Sequence, residues 1–284
     1  MSSSPAMKCQ NCGKPCTLKC GKCQAMYFCG ADCQKAQWPS HKAICKRVAQ
    51  ATEPHQWHLI VDGMGPIGPN WEYMKGARQA MESAGLHVVV VDVSKGGNIP
   101  EQLASIIRNK NPQSILMLGW GAGEADIEED LCKSEDFKSS LVSWCRDGGR
   151  LLVQGERLAM FPWPGWFNLG WRSGDYCRTD HSCCAAATHW CDWYSNCASA
   201  VRTKYNVKAC CLANVDPSDA LYSTTNDSNT YSPVPGFGGR PVGTGQTAIA
   251  WSRFGEGTVS FFGDVNHEEP TLRTMAVIAA RGQD

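Results

Sequence analysis

The sequence predicts an α/β protein in two parts: a small two-zinc finger at residues 1–50 and, beyond a linker at 51–56, a three-layer α/β/α sandwich with a mostly parallel sheet over 57–284. Three observations predict it. Four Cys/His pairs crowd into the first 45 residues. From residue 57 on, continuous apolar runs alternate with helix-length segments, as in strands buried on both faces. The 284 residues are 43% apolar, which allows one sizeable core and a small appended module.

The finger offers nine soft ligands: Cys9, Cys12, Cys16, Cys20, Cys23, Cys29, Cys33, His41 and Cys45. Two tetrahedral zinc sites need eight. Cys9/Cys12 and Cys20/Cys23 are C-x2-C pairs, which turn two sulfurs toward one ion, with Gly13 and Gly21 giving the backbone freedom at those turns. Cys29 and Cys33 are four apart, as are His41 and Cys45, so each pair can share a helix face, and Asp32 is placed to help start a helix. Cys16 falls outside every pair. So short a segment has little apolar content for a core of its own, and metal becomes the main source of its folding energy.

A disulfide knot or a set of buried thiols is the competing reading of such a stretch. The opening "MSSSPAMKC" has no apolar core segment of the kind an export signal needs, and no run of about 18 apolar residues suggests a membrane span. The expected location is therefore intracellular, in cytoplasm or nucleus, where clustered cysteines read as metal ligands. The net charge is zero, but residues 1–50 carry eight Lys/Arg against the single acid Asp32. Seven zinc-bound thiolates and two zinc ions leave that head only mildly positive. Lys14, Lys19, Lys22, Lys35 and Lys42 then read as a solvated face, and nucleic-acid binding is the disfavoured alternative.

The stretch "CQNCGKPCTLKCGKCQAMYFCGADCQKAQWPSHKAIC", Cys9 to Cys45, resembles a MYND-type zinc finger. It matches in ligand order, in the aromatic pair Tyr27–Phe28 before Cys29, and in Trp38-x2-His41-x3-Cys45. The resemblance implies two cross-braced zinc ions, one held by Cys9, Cys12, Cys29 and Cys33, the other by Cys20, Cys23, His41 and Cys45. It also implies a protein-interaction module that docks short proline-containing peptides. Tyr27, Gln34 and Trp38 are the candidate peptide-binding residues, since aromatic walls suit preformed polyproline segments. Tyr27 and Phe28 serve equally well as a mini-core; Trp38 suits a groove wall better.

In the body, "WHLIVDG" (57–63) reads as a buried strand and 71–84 as a helix with Met74, Ala77 and Met81 on one face, closed by Gly85. Residues 86–93 form a second strand, 100–110 a helix opened by Pro100, and 114–120 a third strand. Residues 135–148 are a helix and 150–156 a fourth strand. From 157 to 245 the pattern loosens: "FPWPGWFNLGWRSGDY" and 222–245 read as loops. Residues 247–254 and 258–264 form a hairpin about Gly-Glu-Gly, and a helix follows from about 268.

This body is similar to the class I glutamine amidotransferase-like superfamily, nearest its ThuA-like branch, in architecture and in the late "GEGTVSFFGDVN" segment. Catalytic members place a cysteine at a sharp turn after a central strand. Here that turn reads Gly155-Glu156-Arg157, without a thiol, although His267 and Glu269 form an H-x-E after the last strand. Acyl transfer by the covalent route needs a nucleophile, so amidotransferase activity is not expected. Trp120, Glu124, Glu156, Asp264 and His267 are candidates near the carboxyl ends of the strands. A third zinc site at His181, Cys184, His189 and Cys191 is conceivable beside Cys177, Cys183 and Cys197, but buried thiols are the default there. The expectation is an adaptor: the finger captures a proline-containing partner and the body binds a small molecule or another protein. A hydrolase or sugar-directed enzyme in the body, with the finger as a targeting module, is the alternative.

Overall fold

The computed structural model describes residues 9–16, 18–23, 26–50, 57–62, 69–92, 98–120, 125–155, 163–184, 203–232, 234–236 and 238–280. The expected linker at 51–56 lies outside them. The finger consists of β1 (Leu18–Lys19) and β2 (Tyr27–Phe28), paired antiparallel, and helix α1 (Ala31–Gln50). Two such short strands and one helix bury little by themselves. Cys9, Cys20, Cys23, Met26, Phe28 and Cys45 instead continue into one apolar cluster with Trp57, Leu59, Leu103 and Ile107 of the body. Pro39 sits inside α1 and lacks the N–H that would reach the Lys35 carbonyl, a place where helices bend.

The body begins with β3 (His58–Asp62), α2 (Pro69–Ser83), β4 (Val88–Asp92), α3 (Ile99–Lys110) and β5 (Ser114–Trp120). It continues with α4 (Ala125–Lys133), α5 (Glu135–Arg146), β6 (Arg150–Gly155) and the short α6 (Trp163–Trp166). Local chemistry sets several ends. Pro100 opens α3, and Asn111 closes it in the left-handed region at φ +41, its N–H returning to the Ile107 carbonyl. Ser134 caps α5 by accepting the Phe137 N–H. The remaining elements are β7 (Arg172–Cys183), β8 (Lys204–Ala213), β9 (Ala220–Ser223), β10 (Thr247–Phe254), β11 (Gly257–Phe262) and α7 (Glu269–Ala280).

The strands form one sheet in the order β4-β3-β5-β6-β11-β10-β8-β7-β9. β4, β3, β5 and β6 are parallel, as their continuous apolar runs predict, and β11 pairs parallel to β6 while forming the expected hairpin with β10. Side chains of α3 and α5 belong to the apolar cluster on one face, those of α2 and α7 to the cluster on the other.

The expectation of a mostly parallel sheet is corrected beyond β11. β10 runs antiparallel to β11, β8 and β9, and β7 runs antiparallel to β8 and β9. Strands β10, β8, β7 and β9 thereby close into a barrel-like ring, and antiparallel pairings predominate over the whole sheet. The miss has a physical cause. The side chains that β7 buries are Thr179 and His181, both fully enclosed, so the strand shows no apolar alternation along its sequence. β8 does alternate, burying Tyr205, Val207, Ala209 and Cys211, but its cysteines masked the period. Within the expected loop "FPWPGWFNLGWRSGDY" at 161–176, Trp163–Trp166 is α6 and Arg172–Tyr176 begins β7. Within 222–245, Tyr222 and Ser223 end β9; the other described residues there hold one bridge, Asn229 to Pro241.

Candidate metal centre

Cys9 and Cys12 flank a knuckle closed by Cys9 N–H to the Lys14 carbonyl (2.8 Å) and Gly13 N–H to the Cys9 carbonyl (2.9 Å). Gly13, at φ +71, takes the left-handed conformation this turn requires. Cys20 is held in a second knuckle by its N–H to the Met26 carbonyl at 2.8 Å. Cys29 immediately follows β2, Cys33 lies in the first turn of α1, and His41 and Cys45 follow two and three turns later.

These pieces bring together two tetrads: Cys9, Cys12, Cys29 and Cys33, and Cys20, Cys23, His41 and Cys45. In each, the four donor atoms lie within 4.8 Å of one another. The printed sulfur separations test whether zinc fits. Cys12–Cys29 is 3.5 Å, Cys29–Cys33 3.4 Å and Cys20–Cys45 3.7 Å. A tetrahedron with Zn–S bonds of ~2.3 Å has S–S edges of roughly 3.8 Å, so the cages are close to the right size. His41 presents Nε2, 3.3 Å from Cys20 Sγ and 3.7 Å from Cys23 Sγ. Thiol-rich tetrads with one imidazole suit zinc.

The two cages differ in exposure. Cys20, Cys23, His41 and Cys45 are all buried, whereas Cys12 and Cys29 are exposed. Burial pushes the His41 imidazole down to about 4, which keeps it neutral and ligand-ready. Burial and the neighbouring Cys23 push the Cys45 thiol up to about 12. Burial also opposes ionisation of Cys9, but backbone hydrogen bonds from Asn11, Cys29 and Cys12 outweigh it and bring that thiol to about 6. Four thiols this close cannot all ionise beside one another; a divalent cation removes the repulsion. Asn11 Nδ2 also donates to Cys33 Sγ at 3.5 Å. The two tetrads are the chain's sites for two Zn2+ ions. They are cross-braced, since Cys33 of α1 serves one site and His41 and Cys45 of α1 serve the other. Cys33 and His41 are eight residues apart on α1, a rise of roughly 12 Å along its axis.

Of the candidate peptide-binding residues, Trp38 is exposed at 40%, its ring edge-on to His41 at 5.8 Å. Gln34, one turn earlier, is half-buried. Tyr27 is buried, with Lys19 over its ring at 5.3 Å, and its hydroxyl donates to Asn109 Oδ1 of α3 at 3.0 Å. Gln10 Nε2 donates to the Glu101 carbonyl of the same helix at 3.4 Å. Phe28 packs edge-on against His41 at 5.6 Å, a core role. Lys14, Lys19, Lys22, Lys35 and Lys42 are all exposed.

In the body, Glu124, Glu156, His189, Cys191 and Cys197 lie outside the described residues, and only the backbone of Trp120 is described, at the end of β5. Among the described residues the two finger tetrads are the groups of Cys, His and carboxylate donors able to share an ion. His181 Nε2 instead meets Cys211 Sγ at 3.4 Å inside the ring. Asp264 is buried and caps the turn before α7, its carboxyl accepting N–H from Asn266 (2.8 Å), His267 (3.2 Å) and Glu268 (2.8 Å). Burial and the adjoining Glu268 push Asp264 up to about 8. The H-x-E pairing is corrected: Glu269 is exposed and pairs with Arg273, while Glu268 turns inward to Arg178 at 2.7 Å. Glu268, Arg178 and Tyr73 had no signal in sequence, because they come from three separate elements.

Residues 9–45 match the family described as MYND finger. Over 43 residues the chain is 40% identical to mouse Tudor domain-containing protein 1, covering 15% of this chain and 4% of that protein. Over 33 residues it is 46% identical to N-lysine methyltransferase SMYD2-B of Xenopus laevis, covering 12% and 8%. The chain thus spans less than a tenth of the length of these relatives. Among solved structures, it is similar to a ThuA-like protein of Bacteroides uniformis with a TM-score of 0.49 at 9% identity, over 80% of this chain and 91% of that one. It is also similar to a ThuA-like protein of Parabacteroides merdae with a TM-score of 0.46 at 12% identity, over 81% and 91%. Likenesses so distant carry no chemistry to the body.

Proposed function

We propose that this chain is an intracellular interaction adaptor, whose zinc-braced MYND finger captures short proline-containing protein segments while the body holds the finger in a fixed orientation. Trp38 carries the reading. It is exposed at 40%, is of a residue type enriched at interface hot spots, and is braced against the zinc ligand His41. Gln34 lies four residues earlier on α1, so its amide is placed to meet a backbone running past Trp38. Exposed Leu18, at 58%, adds a second apolar contact on the finger. Tyr27, engaged with Asn109, would form the floor of such a groove through its ring. A polyproline segment is extended before binding, so it loses little entropy on such a surface.

Fluorescence anisotropy tests this with labelled peptides carrying a Pro-Pro core, against scrambled peptides without adjacent prolines. Saturable binding that disappears in Trp38→Ala, with zinc still at two ions per chain, is the expected result. Equal binding of Pro-Pro and scrambled peptides, or full binding by Trp38→Ala, would end the proposal. The alternative of nucleic-acid binding by the exposed lysines predicts an affinity that falls steeply with salt.

A further inference from the structure

The chain contains two Pro-x-Pro stretches, Pro162-Trp163-Pro164 and Pro233-Val234-Pro235. The first is closed off, since Trp163 and Pro164 are buried in α6. The second is presented to solvent: Tyr231 is 59% and Val234 53% exposed, and Pro235 is exposed beside them. Among the described residues, the exposed large apolar side chains are Leu18 and Trp38 on the finger, and Tyr176, Tyr231 and Val234 on the body.

The loop that carries Val234 and Pro235 is tied at its base. Thr230 N–H donates to the Arg240 carbonyl at 2.8 Å, and Gly239 N–H donates to the Thr230 carbonyl at 2.7 Å. Tyr231 N–H donates to the Arg178 carbonyl at 2.7 Å, which anchors the loop on β7, two residues from Tyr176. Val234 N–H donates to Ser232 Oγ at 3.1 Å, and Gly236, at φ +82, turns the chain after Pro235. Ser232 and Val234 each precede a proline, a position biased toward extended backbone. A segment ordered in advance loses little entropy when it is captured.

Topology decides which finger can reach this loop. The finger rests on α3 through Tyr27 and lies against β4, at one edge of the sheet. The loop hangs from β7, near the other edge. Strand β10, still short of β7, is five strand spacings from β4, roughly 24 Å. The finger therefore does not meet the loop of its own chain. The charges also suit contact between copies. Residues 1–50 carry eight Lys/Arg against one acid, while residues 51–284 carry 19 against 26, so a finger attracts a body and repels a second finger.

We propose that the finger captures residues 231–236 of a second copy of this chain, with Trp38 of one copy packed on Val234 and Pro235 of the next. This rests on the finger's capture of proline-containing segments and names its partner. The two surfaces are different patches at opposite ends of the molecule, so the contact is heterologous and copies add head to tail.

Sedimentation velocity of the zinc-loaded full chain, over a roughly hundredfold range of concentration, tests this. The expected sedimentation coefficient keeps rising with concentration and does not stop at a dimer. Trp38→Ala and Val234→Asp should each weaken association about tenfold or more, with the melting temperature and two zinc ions retained, since both side chains are exposed. Each variant keeps the patch that the other lacks. Their mixture should therefore form one-to-one pairs at a concentration where each alone is monomeric. A chain that stays monomeric while its finger binds Pro-Pro peptides would overturn the proposal and leave peptide capture standing. A monomer that binds no such peptide would remove both. A dimer plateau unaffected by either variant would place the interface elsewhere and also overturn the proposal.

Discussion

The Tyr27 hydroxyl joins the finger to the body, and removing it tests whether the two parts are rigidly docked. Tyr27 is 6% exposed, and its O–H donates to Asn109 Oδ1 at 3.0 Å. The acceptor is oriented in advance: Asn109 Nδ2 donates to the Ser105 carbonyl at 2.7 Å and to Ser105 Oγ at 3.2 Å, which turns Oδ1 toward the finger. A neutral hydrogen bond of this kind contributes about 0.5–1.5 kcal/mol net. Tyr27→Phe should therefore lower the melting temperature by roughly 1–3 °C for a chain of this size. Asn109→Ala alone is ambiguous because it also breaks the Ser105 contacts, so a double-mutant cycle is needed. Its coupling energy should be about 0.5–1.5 kcal/mol. The assay is thermal unfolding of the four proteins, each verified to hold two zinc ions. An unchanged Tyr27→Phe midpoint with zero coupling would show that the finger does not rest on α3, and the rigid-platform part of the proposed function would fall with it.

Three further outcomes are expected. Cys16→Ser should keep two zinc ions per chain by elemental analysis, whereas Cys20→Ser, at the centre of the buried tetrad, should lose one or both and unfold the finger; equal zinc loss in both would refute the ligand assignment. Asp264 has a folded-state pKa raised to about 8, so the stability it contributes is complete below its unfolded value near ~4 and is lost as pH rises toward about 8. Denaturant midpoints should accordingly decline over that window, and Asp264→Asn should flatten the decline; an unaltered slope in the variant would count against the buried acid. Gly257→Ala should be strongly destabilising, because a Cβ there would run into the Cys145 and Gly149 carbonyls where β11 meets α5, and a soluble variant with a native melting temperature would contradict that packing.

Much of the chain was legible in its sequence where local chemistry decided the outcome. The zinc ligands, and Cys16 as the residue left over, follow from pair spacing, because two knuckles and one helix fix the donors within a few residues of each other. The parallel strands were legible because burial on both faces demands unbroken apolar runs, as in "LIV" at 59–61 and "VVVV" at 88–91. The ring strands were not, since β7 encloses polar Thr179 and His181, whose burial is licensed by neighbours far away in sequence. The same limit hid the polar cluster. Tyr73, Arg178 and Glu268 belong to α2, β7 and the turn before α7, and only the sheet's closure makes them neighbours. By itself the sequence determined the metal, its ligands and the order of the central elements, all of which rest on short-range spacing and periodicity. The tertiary structure alone decided the ring, the seating of the finger on α3 and the turning of Glu268 inward in place of Glu269, because each depends on contacts between residues tens of positions apart.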